Sequence, residues 1–181
     1  MARPLLILSV MTLLLCSANI DVSSTNGMAS AAIVPQCTAH NDITAKLGHE
    51  NGAGTWFFFL VEFTNRGKAS CSMSGVPHAQ AVDGPKRTAV GAAAKYVSLS
   101  GAPRRGLVVL HAHGGKAYVE YYVVNETDWT TKQCRPDTAR GVILSPVSNW
   151  GFYIPISRLG ATEVCTKRVS TQVGAISSKS Y

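Results

Sequence analysis

The chain has 181 residues, 46% hydrophobic and 15% charged, with a formal net charge of +7. That composition is too apolar for a disordered chain and suits sheet strands better than long charged helices. The length fits one domain, with a core large enough that cross-links add to stability without being its sole source.

Residues 1–18 read as a cleavable signal peptide. Arg3 supplies the leading charge, an apolar run covers residues 5–15, and Cys16 and Ala18 put small residues where a signal peptidase inspects the chain. The run falls short of the about 20 apolar residues that cross a bilayer. Ala29-Ser30-Ala31 offers a second cleavage site, and residues 19–36 read as a flexible spacer. Cys16 raises the question of lipid attachment, but the bulky Leu15 precedes it where a lipoprotein box needs a small residue. Simple secretion is favoured, and no later stretch reads as a transmembrane helix. The mature chain is expected to be secreted or held at the cell envelope.

The strand signals follow in order. Ile43, Ala45 and Leu47 alternate at period two. Thr55 to Phe63 is the strongest strand, apolar on both faces at its start, as in a covered central strand, and alternating at its end. Asn65-Arg66-Gly67 makes a turn, with Gly67 expected at positive φ and Asn65 capping it. Further strands are read at residues 71–76, 79–82, 87–90, 96–99, 107–110, 117–124, 141–144, 152–156 and near 168–173. His111 to Lys116 reads as a hairpin connection, and residues 137–140 as one helical turn. The fold class is therefore all-β, an immunoglobulin-like antiparallel sandwich over residues 37–174, followed by a fraying tail at 175–181.

Cys37, Cys71, Cys134 and Cys165 remain after cleavage. In an exported chain they make two disulfides, for which three pairings exist. Cys37–Cys71 and Cys134–Cys165 are expected, because each closes a local segment. No zinc-type CxxC or paired Cys/His spacing competes with that reading.

The order of these features resembles the exported actinobacterial domain of unknown function numbered 4232, found often in mycobacteria and their relatives. The matching pieces are Phe63-Thr64-Asn65-Arg66-Gly67, then Cys71-Ser72-Met73-Ser74-Gly75-Val76-Pro77, then Asp83-Gly84. Val109-Leu110 with Gly114 to Ala117, Cys134-Arg135-Pro136 with Ala139, and Cys165 complete the match, which runs from about Cys37 to Val173. His111-Ala112-His113 departs from the pattern, where a Pro-Gly turn would follow the strand. The resemblance implies a secreted or envelope-attached β-sandwich and no activity, so no catalytic residue is carried over.

His111 and His113 would share one face if their strand continued, and both could then hold a zinc or copper ion. His40, His49 and His78 are the candidates for a third ligand, but two exposed hairpin histidines are the better reading. Ser98, Ser100 and Ser145 stand outside any nucleophile elbow, so a hydrolase has no supporting motif. The Trp56-to-Phe63 cluster reads as core rather than as a ligand groove. Trp129, Trp150 and Tyr153, near loop-forming residues, are the candidates for ligand contact. Asn125-Glu126-Thr127 matches a glycosylation sequon, which matters only in a eukaryotic secretory route. The basic residues, Lys46, Arg66, Lys86, Lys167 and Arg168 among them, are scattered, so no nucleic-acid partner is expected. Taken together, these features are read as a non-enzymatic binding or structural module at the cell envelope, without cofactor, whose partner would be an envelope component or extracellular protein. The alternative is a metal-binding envelope protein using His111 and His113.

Overall fold

The computed structural model describes residues 33–53, 56–98, 103–124, 129–147, 150–156 and 162–179. The expected leader, the second cleavage site, Leu99, Ser100 and the Asn125 sequon lie outside them.

Alternation builds the largest sheet. In strand β2 (Trp56–Asn65), Phe59, Val61 and Phe63 point inward and are fully buried. Strand β7 (Lys116–Val124) pairs antiparallel with β2 from Trp56↔Val124 to Thr64↔Lys116, and its Ala117, Val119, Tyr121 and Val123 meet the same core. Strand β1 (Ile43–Ala53) lies on the other side of β2, with a register shift between Leu47 and His49. A short strand β12 (Thr171–Val173) flanks β7, and β5 (Lys95–Tyr96) adds to it in parallel, giving the order β1-β2-β7-β12-β5.

Three smaller sheets complete the described fold. Strands β4 (His78–Val82), β9 (Gly141–Val147) and β10 (Trp150–Pro155) form one in the order β10-β9-β4. Strand β3 (Cys71–Ser74) pairs with β6 (Leu107–Leu110), and β8 (Pro136–Ala139) with β11 (Thr162–Cys165). Inward residues of all four, such as Val61, Met73, Leu144 and Val164, join one hydrophobic cluster. All four sheets are open, and a four-residue helical turn α1 (Thr131–Cys134) interrupts the β structure. The two disulfides are Cys37–Cys71 and Cys134–Cys165, the local pairs expected from the sequence.

Several sequence expectations are corrected. The segment from His111 to Lys116 is not a hairpin, because β6 pairs with β3 while β7 pairs with β2 and β12. The connection instead carries the chain from one sheet to another. It is tied to Asn65, whose carbonyl accepts from Gly114 N–H (2.7 Å) and whose N–H donates to Gly115 O (2.9 Å). Gly67 does not adopt positive φ; the left-handed region is occupied by His113 (59°) and Gly114 (130°) instead. The Asn65 side chain makes the turn without it, Oδ1 accepting from Gly67 N–H at 2.9 Å.

Residues 137–140 do not form a helical turn, since Pro136–Ala139 is strand β8. The helical turn precedes it, with Gln133 Oε1 accepting from Thr130 N–H (3.2 Å) and Oγ1 (3.1 Å), and Pro136 follows just beyond. Residues 87–90 form only an isolated bridge, Val82↔Ala89. Nor does the domain stop at 174. Ala175 and Ile176 are buried in the structure, Ile176 within the core cluster, and Ser177 bridges to Tyr118. On the N-terminal side, Gln36 bridges to Ser72.

Candidate functional site

The outward residues of the five-stranded sheet line up in rows. In-register pairing sets Asn51, Phe58, Tyr122, Gln172 and Lys95 side by side across all five strands. Paired residues of neighbouring strands project from the same face. Trp56 adds a third aromatic beside this row: its ring meets Tyr122 edge-on at 6.5 Å, and Phe58 meets Tyr122 at 5.2 Å. Trp56 is 37% exposed, and Phe58 and Tyr122 are half-buried, so the cluster faces outward rather than into the core. The sequence reading of Trp56 to Phe63 as core therefore holds for Phe59, Val61 and Phe63 and fails for Trp56 and Phe58. Trp56 and Phe58 share the face opposite to Phe59, Val61 and Phe63, and that opposite face is open at its Trp56 end and buried at Leu60 and Thr64.

The next row pairs Leu60 with Glu120. Glu120 is 6% exposed. The Tyr122 hydroxyl is the hydrogen-bond partner of this carboxylate. Burial pushes the Tyr122 hydroxyl well above the usual phenol range, and the neighbouring Glu120 carboxylate adds to the rise. Tyr122 thus stays protonated at any physiological pH. Inside the core, burial raises Tyr121 too, and the neighbouring Thr171 hydroxyl offsets a part of the rise.

One row further, Glu62 sits between Lys46 (3.3 Å) and Lys116 (3.1 Å). Burial works to raise its pKa, but hydrogen bonds and charge from the two lysines outweigh it and hold the carboxyl below its ordinary value. This end of the face is polar and internally paired, whereas the Trp56 end is aromatic and open.

The residues singled out from the sequence are dispersed. His111 and His113 are exposed, but His113 lies in a turn with left-handed backbone, so the strand that would align them ends at Leu110. Among the described residues, no group of three or more His, Cys, Asp or Glu is arranged to hold a metal ion. Trp150 turns toward the core, packing on Phe152 (4.8 Å), which in turn packs on Phe63 (5.5 Å). Alternation puts Tyr153 on the opposite face of β10, where its hydroxyl donates to Arg140 O at 3.5 Å. Trp129 is half-buried beneath the Arg168 guanidinium at 5.3 Å. Sequence reasoning missed Phe58 and Tyr122 as surface residues. The signal was the alternation of β7, in which Tyr118, Glu120 and Tyr122 share the parity of the polar face.

No curated protein and no solved structure matches the chain. The family described as a domain of unknown function, DUF4232, matches residues 37–176, and the chain belongs to that family.

Proposed function

We propose that this chain is an exported, non-enzymatic binding module of the cell envelope, and that it meets its ligand through the outer face of the five-stranded sheet. The observation that carries this reading is the row Asn51, Phe58, Tyr122, Gln172 and Lys95 with Trp56 beside it. Aromatic rings left outward on a sheet and flanked by the amide side chains of Asn51 and Gln172 suit a partner with apolar faces and hydrogen-bonding groups. Such a partner is an envelope component or an extracellular protein.

Export is supported by the leader-like residues 1–18 and by two disulfides, which persist in oxidising compartments. Among the described residues, no helix is long and apolar enough to cross a membrane. The resemblance to an exported actinobacterial family points the same way. One core shared by the five-stranded and three-stranded sheets favours an immunoglobulin-like sandwich as the finer description of the fold.

The test is retention of the purified chain on separated envelope fractions, compared with Trp56→Ala and Tyr122→Ala. Both variants should keep the wild-type fold by circular dichroism and lose retention on one fraction. Equal retention of wild type and both variants would remove the sheet face from the reading.

A further inference from the structure

The second disulfide gathers positive charge that is dispersed along the sequence. Lys132 and Arg135 flank Cys134, while Lys167 and Arg168 follow Cys165, 31 residues away along the chain. Beyond the bridge itself, the two loops are laced by backbone. Lys167 N–H donates to Cys134 O (3.1 Å), and Arg135 O accepts from Thr166 N–H (3.2 Å) and Thr166 Oγ1 (2.8 Å). Lys167 Nζ donates to Lys132 O at 3.4 Å. All four cations are exposed, and none forms an ion pair among the described residues, where the ion pairs both belong to Glu62. Like charges held together without counter-ions repel one another and attract anions.

Arg135 stands out within this group. Its φ of 49° and ψ of 75° place it in the left-handed conformation at the end of α1. Glycine or asparagine normally fills that position. An arginine there gives up local stability and presents a guanidinium beside a shallow pocket of about 450 Å³, lined by Arg135, Pro136, Asp137 and Thr166. Asp137 tells what the pocket accepts. Its Oδ1 takes the Thr138 N–H at 2.8 Å, and a carboxylate in the lining repels a bare anion but accepts a hydroxyl. Cations around a hydroxyl-accepting pocket match a chain of sugars that carries acid groups. Among the described residues, exposed large hydrophobic side chains, which insertion into a bilayer would need, are found at Ile33, Trp56 and Leu107 and not here.

We infer that the surface formed by Lys132, Arg135, Lys167 and Arg168 around the Asp137–Thr166 pocket binds an acidic polysaccharide. The cations take its acid groups, and Asp137 and Thr166 take its hydroxyls. This site shares no residue with the row on the sheet face and is tested independently of it.

The experiment measures binding of the full chain to polygalacturonate, dextran, inorganic polyphosphate and phosphatidylglycerol vesicles. Polygalacturonate should bind, more weakly as salt rises, and uncharged dextran should not. Replacing Lys132, Arg135, Lys167 and Arg168 together by Ala should weaken polygalacturonate binding about tenfold or more. A charge-matched control, Lys68, Lys86, Arg105 and Lys179 to Ala, should weaken it less than about threefold. Trp56→Ala should leave it unchanged, which separates this site from the sheet face. Arg135→Gly should bind more weakly yet melt no lower than wild type, which keeps the test open if the fourfold variant folds poorly. An equal loss in the charge-matched control would overturn the inference in favour of net charge alone. Polyphosphate or vesicles binding as tightly as polygalacturonate would overturn the polysaccharide assignment.

Discussion

The two disulfides close loops of nearly the same length and do different work. Cys37–Cys71 spans 34 residues, and both its cysteines belong to the core cluster beside Met73 and Leu110. Cys134–Cys165 spans 31 residues and is also buried, but it lies outside that cluster and carries exposed basic loops on both sides. In the chain-entropy account, each bridge contributes about 3.7 kcal/mol, and the two differ by only about 0.1 kcal/mol. Any larger difference must come from the native surroundings. The comparison teaches that one bridge anchors the chain's start to the core, while the other positions a surface.

The sharpest way to break this contrast is to remove each bridge in turn. Cys37→Ala with Cys71→Ala should cost about 4–5 kcal/mol, because it also frees the Gln36–Ser72 bridge and leaves space in the core. Cys134→Ala with Cys165→Ala should cost about 3.7 kcal/mol. The second pair should also weaken polygalacturonate binding, although no charge has been removed. Denaturant unfolding and the binding assay report both quantities. Equal destabilisation with unchanged binding would erase the distinction.

Next in size is Asn65, fully buried next to the first disulfide's strand pair. Its Nδ2 donates to Ala69 O (2.9 Å) and Leu110 O (3.0 Å), while its Oδ1 accepts from Gly67. It therefore ties the turn after β2 to the end of β6, and through Gly114 and Gly115 to the start of β7. Asn65→Ala strands three backbone groups and should cost about 2–4 kcal/mol by chemical denaturation. Asn65→Asp keeps the acceptor and loses both donated bonds, so it should be no better. Gly67→Ala should cost less, about 1 kcal/mol. A Cβ there would come within 3.2 Å of Asn65 Oδ1, and φ contributes no strain. A loss at Gly67 larger than that at Asn65 would shift the burden from the side-chain network to the glycine backbone.

The Asn65 block was visible in the sequence, and so were the two cysteine pairs, because both rest on local spacing. Strand β2 was visible as well, since Phe59, Val61 and Phe63 alternate with more polar neighbours at its end. What lay hidden depends on register between distant strands. Nothing local says that Asn51, Phe58, Tyr122, Gln172 and Lys95 form one row, because their alignment is set by the whole pairing of β1, β2, β7, β12 and β5. Strand β8 hid for another reason: Pro136-Asp137-Thr138-Ala139 has no alternating apolar pattern, and its strand state comes from pairing with β11 beside the disulfide. The capping signature Thr130-x-x-Gln133 did stand in the sequence and marks the helical turn six residues earlier than expected, at 131–134 rather than 137–140. The basic cluster was invisible because a bridge, not a run of residues, assembles it.

The smallest expected effect concerns the polar end of the sheet face, where Glu62 joins β1 and β7 through Lys46 and Lys116. Its folded-state pKa lies below the ordinary value of 4.5. Between the folded and unfolded pKa values the unfolded chain binds more protons, so stability rises with pH there. The contribution is therefore complete above the unfolded value and is lost as pH falls through the folded one. Both lysines are largely exposed, so solvent screening limits it to about 0.2–1 kcal/mol, smaller still at high salt. Glu62→Gln should lower stability by that amount at pH 7, and its curve should converge with that of wild type once pH falls below the folded-state pKa, where both side chains are neutral. Parallel curves down to the acid limit would mean that Glu62 acts through packing against Tyr118 and Leu60 rather than through its charge.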